Sequence, residues 1–284
     1  MRITDRLPPE TYPKDGGFAP VERINGSPDA GVVILCDHAS NALPPAYGDL
    51  GLPAGALSRH IAYDIGAAWL ARRLAELLGA PAVLSTFSRL LIDPNRGADD
   101  PTLVMRYSDG AIVPGNARVE EAEIERRRDL YWRPYRAACA EAVEAMSATG
   151  RAPAIISIHS FTPSWRGQPR PWKTGVLWDK DSRLPGPLLA ALRSEADLQP
   201  AEALVGDNEP YDGALAGDTI DDIATARGLA NALIEVSQDL VSTKAGAEAW
   251  ADRLARLLKP ILGRPELHQR ADFGSRARER IHAA

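Results

Sequence analysis

The strongest constraint on the fold is a repeated order: a short, wholly apolar run, a helical stretch, then another apolar run. Val32-Val33-Ile34-Leu35-Cys36 carries neither charge nor polar alternation, the pattern of a strand buried on both faces of a parallel sheet. His60 to Leu78 follows, with Ala67, Leu70, Leu74 and Leu77 at helical spacing and Gly79-Ala80-Pro81 as the stop. Ala82 to Thr86 is then a second strand. A strand, helix and strand joined by a right-handed crossover make a parallel pair.

The same alternation continues along the chain. Glu120 to Met146 is a long helix that Pro134 should kink or divide. Ala154 to Ile158, Gly175 to Trp178 and Ala232 to Val236 are further strands, with helices near Leu188 to Ser194 and from Ala245 to Leu262. The fold class is therefore α/β, as a single three-layer domain around a mostly parallel or mixed central sheet. Residues 1–30, rich in Pro, Gly and polar side chains, are expected to be an irregular lead-in that straps the surface. The domain spans 31–262, and 263–284 reads as a charged C-terminal tail, solvated or packed as a terminal arm.

Composition narrows the partners. With 33 Lys and Arg against 38 Asp and Glu the net charge is −5, which disfavours a surface built for nucleic-acid phosphates or anionic lipids. Small molecules are the expected partners, with no nucleic acid and no membrane. Uncharged stretches such as Ala152 to Phe161 fall far short of the roughly 20 apolar residues that span a bilayer. Met1 to Glu22 has no apolar core or cleavage site of a secretory leader, so the expected compartment is cytoplasmic. Cys36 and Cys139 cannot by themselves build a disulfide framework or a thiolate zinc site, and are read as buried thiols.

Ligands of open α/β sheets collect at the carboxyl ends of the strands, and here those ends are polar. The first strand ends in Asp37-His38, the loop after the second carries Arg89, Asp93, Asn95 and Arg96, and the Ile158 strand ends in His159-Ser160. Each histidine alone is compatible with a satisfied structural role. Two at strand exits, however, can converge on one cation, and a catalytic zinc takes three protein ligands with a fourth position left for water. Asp64 is the expected third donor; the plainer reading makes it a charge complementing a helix N-terminus. His60, one turn before it, is a cap or a partner of a ligand, and Asn41 is a poor donor to zinc.

A metal-activated water also needs a carboxylate that moves its proton to the leaving amine. Glu235, inside the apolar Ala232 to Val236 run, suits that role because desolvation raises a carboxyl pKa, although a buried Glu–Arg pair would look the same. Arg89, Asn95 and Arg96 match a carboxylate-binding loop or surface salt bridges. Arg170-Pro171-Trp172-Lys173 and Asn208-Glu209-Pro210-Tyr211 are candidate pocket walls or plain loops.

These strings together resemble one family. Asp37-His38-Ala39-Ser40, His60 to Gly66, Ser88 to Arg96, Ser157 to Phe161, Arg170 to Trp178 and Asn208 to Tyr211 are similar in order to the N-formylglutamate amidohydrolases. The resemblance implies a zinc-exopeptidase-like fold, one zinc ion per chain, and hydrolysis of N-formyl-L-glutamate to L-glutamate and formate, a terminal step of one histidine-degradation route. More distantly it extends to zinc carboxypeptidases and cell-wall amidases. By that likeness His159 is a ligand, Asn95 and Arg96 bind the substrate carboxylate, Glu235 is the base, and Asp64 stands where the amidases place an acidic ligand. The carboxypeptidase pattern implies Glu where Asn41 stands. The family pattern also implies His near position 223 and Arg near 237, where this chain has Ile223 and Ser237.

The expectation is thus a zinc-dependent amidohydrolase acting on an N-acylated acidic amino acid. His38, Asp64 and His159 hold the metal, Glu235 transfers the proton, and Arg89, Asn95 and Arg96 anchor carboxylates. Two rivals are a peptidase or cell-wall amidase on the same fold, which needs a long open cleft, and an inactive relative that binds an acidic metabolite.

Overall fold

The computed structural model describes residues 17–283 of the chain, with side chains through residue 280. Residues 1–16 of the expected lead-in lie outside the described residues. The chain opens with β1 (Val21–Ile24), β2 (Val32–Cys36), α1 (Ala67–Leu78) and β3 (Ala82–Ser85). A small hairpin, β4 (Tyr107–Ser108) and β5 (Ala111–Ile112), precedes α2 (Glu121–Arg127) and α3 (Arg133–Ser147). Then come β6 (Ala154–Phe161), a second hairpin of β7 (Ser164–Trp165) and β8 (Gln168–Pro169), and β9 (Thr174–Leu177). The remainder is α4 (Pro185–Arg193), α5 (Ala201–Leu204), β10 (Val205–Asp207), α6 (Thr219–Ile223), β11 (Asn231–Ser237), α7 (Gln238–Val241), α8 (Lys244–Leu262) and α9 (Arg276–Ala283).

Seven strands form one sheet in the order β1-β3-β2-β6-β11-β9-β10. The inner four, β3, β2, β6 and β11, are parallel, so their carboxyl ends share one edge. β1 runs antiparallel to β3 and β9 antiparallel to β11, which makes the sheet mixed. Helices cover both faces. Val32, Ile34, Ile156, Ile158 and Ile234 pack with residues of α1, α4 and α8, while Val33, Leu35, Ile155 and Leu233 pack with α3 and the long loops.

Several expectations change in detail. The lead-in is not irregular throughout, because Val21–Ile24 pair as an edge strand with β3. The first helix starts at Ala67 rather than His60; residues 60–66 are turns, ended by Gly66 at φ 83°. A side chain there would meet the Val241 carbonyl, so only glycine lets the chain enter α1 from this loop. Pro134 does divide the long helix: it sits in the first turn of α3, after a π-helical turn at Arg128–Trp132. The charged tail carries a short turn at Pro265–His268 and α9, with His268, Ser275 and Ala277 buried. Both cysteines are buried free thiols. No helix among the described residues is long and apolar enough to cross a membrane.

Candidate active site

Side chains alternate across a strand, so the apolar pattern of the parallel strands determines where polar groups emerge. On the face packed against α3, β6 reads Ile155, Ser157, His159, and β11 reads Leu233, Glu235; each strand turns from apolar to polar at its carboxyl end. Asp37 and His38 follow β2 at the same edge, and the register places Glu235 beside His159. The loop before α1 is tied in by the Asp64 N–H, which donates to the His38 carbonyl at 2.9 Å, and by the Arg89 N–H, which donates to Ala62 at 3.1 Å.

The result is a buried donor cluster. His38 Nδ1 lies 3.5 Å and His159 Nδ1 2.8 Å from the same oxygen, Asp64 Oδ2. Each imidazole is backed on its other nitrogen by a second aspartate: His38 Nε2 is 2.6 Å from Asp93 Oδ1, and His159 Nε2 is 3.1 Å from Asp37 Oδ2. The Ser157 hydroxyl donates to that same Asp37 oxygen at 2.8 Å. Asp37 and Asp93 are both held below the usual carboxylate range: burial alone would raise them, but the facing histidines, joined at Asp93 by the Arg96 and Arg89 guanidiniums, outweigh it. They are therefore ionised and can only accept, so each Nε2 donates to its aspartate and each Nδ1 is turned toward the Asp64 carboxylate. Burial, with the Arg89 charge beside it, pushes His38 down to about 4, so the ring is neutral at pH 7.

Two imidazole nitrogens and a carboxylate oxygen thus converge on one point. His38 Nδ1 has no hydrogen-bond partner although it is buried. A divalent cation satisfies this donor set. Two imidazoles with carboxylate-backed Nε2 and one carboxylate are the ligand types and outer contacts of a catalytic zinc site, so the residues present fit the metal. Asp64 makes no capping hydrogen bond to α1, and its other oxygen accepts from Arg89 Nη2. Asn41 donates to the Leu57 carbonyl at 2.8 Å and stays out of the cluster. His60 lies 3.2 Å from Asp109 and edge-on to Trp165, neither capping a helix nor backing a ligand.

All seven sequence-predicted site residues line one cavity of about 460 Å³. Glu235 is 5% exposed, its Oε2 has no partner, and burial pushes its carboxyl up to about 7 against the nearby His159, Arg89 and Arg170 charges. Among the described residues it makes no Glu–Arg pair. Arg89 divides its donors, giving Nη2 to Asp64 while Nε is buried without a partner. The Asn95 side-chain oxygen accepts from the Thr219 N–H at 3.1 Å, and the Asn95 N–H donates to Asp93 at 2.9 Å, so this loop is locked to both α6 and the His38 partner. Arg96 is partly exposed at the cavity wall.

Of the candidate walls, Tyr211 lines the cavity, its hydroxyl accepting from Arg170 Nη1 at 2.9 Å with the guanidinium 4.9 Å from the ring centre. Gly175 permits this: a Cβ there would strike the Glu209 carbonyl and push the wall loop off the sheet. Ile223 is buried in the apolar core, and Ser237 donates to Asp239 at 2.5 Å; neither lines the cavity.

The sequence reading missed three groups. Asp37 points away from its neighbour His38, and that direction leads to His159. Asp218 lines the cavity with its carboxyl pushed up to about 7, chiefly by burial. Arg280, on α9, reaches the cavity from the supposed tail. Only the odd–even alternation of the strands could have flagged Asp37, and no local pattern marks the other two.

A mixed α/β sheet with a donor set that could hold a metal and a buried carboxylate at the carboxyl edge of its parallel strands has the parts of a metal-assisted hydrolase. The chain belongs to the N-formylglutamate amidohydrolase family, whose sequence model matches residues 30–242. Among solved structures, a gene product of Agrobacterium tumefaciens is 34% identical, with a TM-score of 0.80, over 87% of this chain and 96% of that one. An N-formylglutamate amidohydrolase of Ralstonia eutropha shares the fold at 22% identity and a TM-score of 0.61, over 88% of this chain and 99% of that one. No curated protein matches the chain.

Proposed function

We propose that the chain hydrolyses the amide bond of an N-acylated acidic amino acid, N-formyl-L-glutamate to L-glutamate and formate, with one zinc ion held by His38, Asp64 and His159. The observation that carries this reading is the unpartnered carboxyl of Glu235, buried beside the convergent His38, Asp64 and His159 donors in a cavity that also holds Arg89, Asn95 and Arg96. A cavity of about 460 Å³ suits a small substrate rather than a polymer.

Bound zinc supplies a Lewis acid for the acyl carbonyl and lowers the pKa of water. Glu235 then does the proton work: its carboxylate takes a proton from the attacking water and, as an acid, gives it to the amine nitrogen when the carbon–nitrogen bond breaks. Arg96, the Asn95 amide and the remaining donors of Arg89 hold the substrate carboxylate, and the Arg89–Asp64 contact fixes the ligand carboxylate at the same time. Asp37 and Asp93 hold the two imidazoles in the tautomer that presents Nδ1. The position where the family pattern implies histidine faces the core as Ile223, so this scheme needs nothing from it. The family resemblance supports reading this reaction as a step of histidine degradation, and with it we propose the cytoplasm as the compartment.

The test is formate release from N-formyl-L-glutamate by metal-free and zinc-reconstituted protein. Turnover should appear only with zinc and vanish in His159→Ala. In Glu235→Gln it should fall by about 10²–10⁴-fold, the usual worth of a positioned proton carrier, with zinc content unchanged. Equal turnover without metal, or full activity in Glu235→Gln, would overturn the reading.

A further inference from the structure

One part of the cavity wall comes from outside the family-matched residues 30–242. After α8 the chain returns across the loop that follows β10, and Arg280 of α9 lines the cavity together with Asp212 and Tyr211. The docking of α9 is specific. The Arg276 N–H and Nε donate to Asp179 Oδ1 at 2.9 and 3.1 Å, Arg276 Nη2 donates to the Trp178 carbonyl at 2.7 Å, and Arg278 pairs with Asp221 at 2.9 Å. Ser275 and Ala277 are buried beneath.

One helical turn beyond Arg276, Arg280 shares a carboxylate with it. Arg276 contacts Asp212 Oδ1 at 2.9 Å and Arg280 contacts Oδ2 at 2.8 Å. Asp179, Arg276, Asp212 and Arg280 thus form an alternating row of charges that ends on a guanidinium at the cavity. The Arg280 side chain is 61% exposed, and its bond to Asp212 uses one nitrogen of a fork suited to bidentate carboxylate binding. A glutamate derivative has two carboxylates, and the loop of Arg89, Asn95 and Arg96 accounts for one.

We propose that Arg280 is a specificity residue: it engages the second carboxylate of a dicarboxylic substrate and so selects acidic over neutral N-acyl amino acids. This rests on the reading of the cavity as an amidohydrolase site.

The experiment compares N-formyl-L-glutamate with its neutral isostere N-formyl-L-glutamine, using the zinc-loaded full chain. In Arg280→Gln the KM for the glutamate substrate should rise about tenfold, the loss of one charge-assisted contact, with a smaller change in kcat and in the glutamine reaction. Arg280→Lys should restore part of the preference. Arg278→Gln, which loosens the same helix without removing the cavity group, should keep the preference, with melting curves reporting whether each variant folds. Equal losses on both substrates, no loss in Arg280→Gln, or the same change in Arg278→Gln would overturn the inference. Should the wild type release no formate from either compound, the hydrolase reading has failed. Calorimetric binding of glutarate against butyrate then decides: a preference for glutarate that Arg280→Gln abolishes upholds the role, and no preference overturns it.

Discussion

Asp37 shows how much a single residue outside the donor set can determine. Its carboxylate faces His159 Nε2 at 3.1 Å and takes the Ser157 hydroxyl at 2.8 Å, so it orients the ring with Nδ1 toward Asp64. Replacing such a partner usually costs about 10–100-fold in metal affinity, and Asp37→Asn should fall in that range when zinc binding is measured against a chromophoric chelator. An unchanged affinity would mean that His159 does not present Nδ1. Asp218 makes a prediction about pH. Its carboxyl is pushed up to about 7 by burial, with the Asp37 charge adding to it, while its Oδ1 accepts from the Asp221 N–H at 2.7 Å as the cap of α6. A raised carboxyl binds a proton more tightly in the folded chain than in the unfolded one, so its cost is absent below about pH 4. The cost grows as pH rises from there to about 7 and is constant above. Asp218→Asn keeps a capping oxygen and removes the charge. It should gain stability over wild type only as pH rises, by up to about 4 kcal/mol at pH 8, since each pKa unit corresponds to about 1.4 kcal/mol. Urea midpoints from pH 4 to 8 report this, and a difference independent of pH would refute the assignment.

At the scale of elements, the site depends on where α1 begins. Helical periodicity runs back toward His60, yet residues 60–66 leave the helix and Gly66 turns at φ 83°, where its missing side chain admits the Val241 carbonyl. That turn carries Asp64 to the histidines instead of leaving it on a helix end. Gly66→Ala should cost more than the 1–2 kcal/mol or so of a left-handed residue alone, because it adds a backbone collision. It should also weaken zinc binding by displacing Asp64. Urea denaturation with parallel metal titration checks both, and a stable variant that still binds zinc tightly would contradict the account. The interior strands were legible because strands buried on both faces leave short apolar runs rich in Val, Ile and Leu. The boundaries of α1 were not, because the close approach of Gly66 to α7 is a contact over 175 positions of sequence that no local pattern encodes. The same holds for β1, whose four residues become a strand only by pairing with β3. Asp37 was hidden for another reason: its partner His159 lies on a different strand, 122 positions along the chain.

For the whole molecule, the parallel order of β3, β2, β6 and β11 gathers polar strand ends from four separate stretches of sequence at one edge, while apolar layers on both faces hold that edge rigid. His38, His159, Glu235 and the Arg89 to Arg96 loop could be placed at this edge from sequence because each follows or lies in a recognisable strand. Asp218 and Arg280 could not, since the loop before α6 and the C-terminal helix reach the cavity only through tertiary packing. The central claim is that both imidazoles present Nδ1, with Asp64, to one metal ion. Zinc-edge anomalous diffraction from zinc-loaded crystals tests it most directly. The account predicts one strong peak per chain, bonded to Nδ1 of His38, Nδ1 of His159 and the Asp64 carboxylate, with Glu235 beside it. A peak elsewhere in the chain, or coordination through either Nε2, would contradict it.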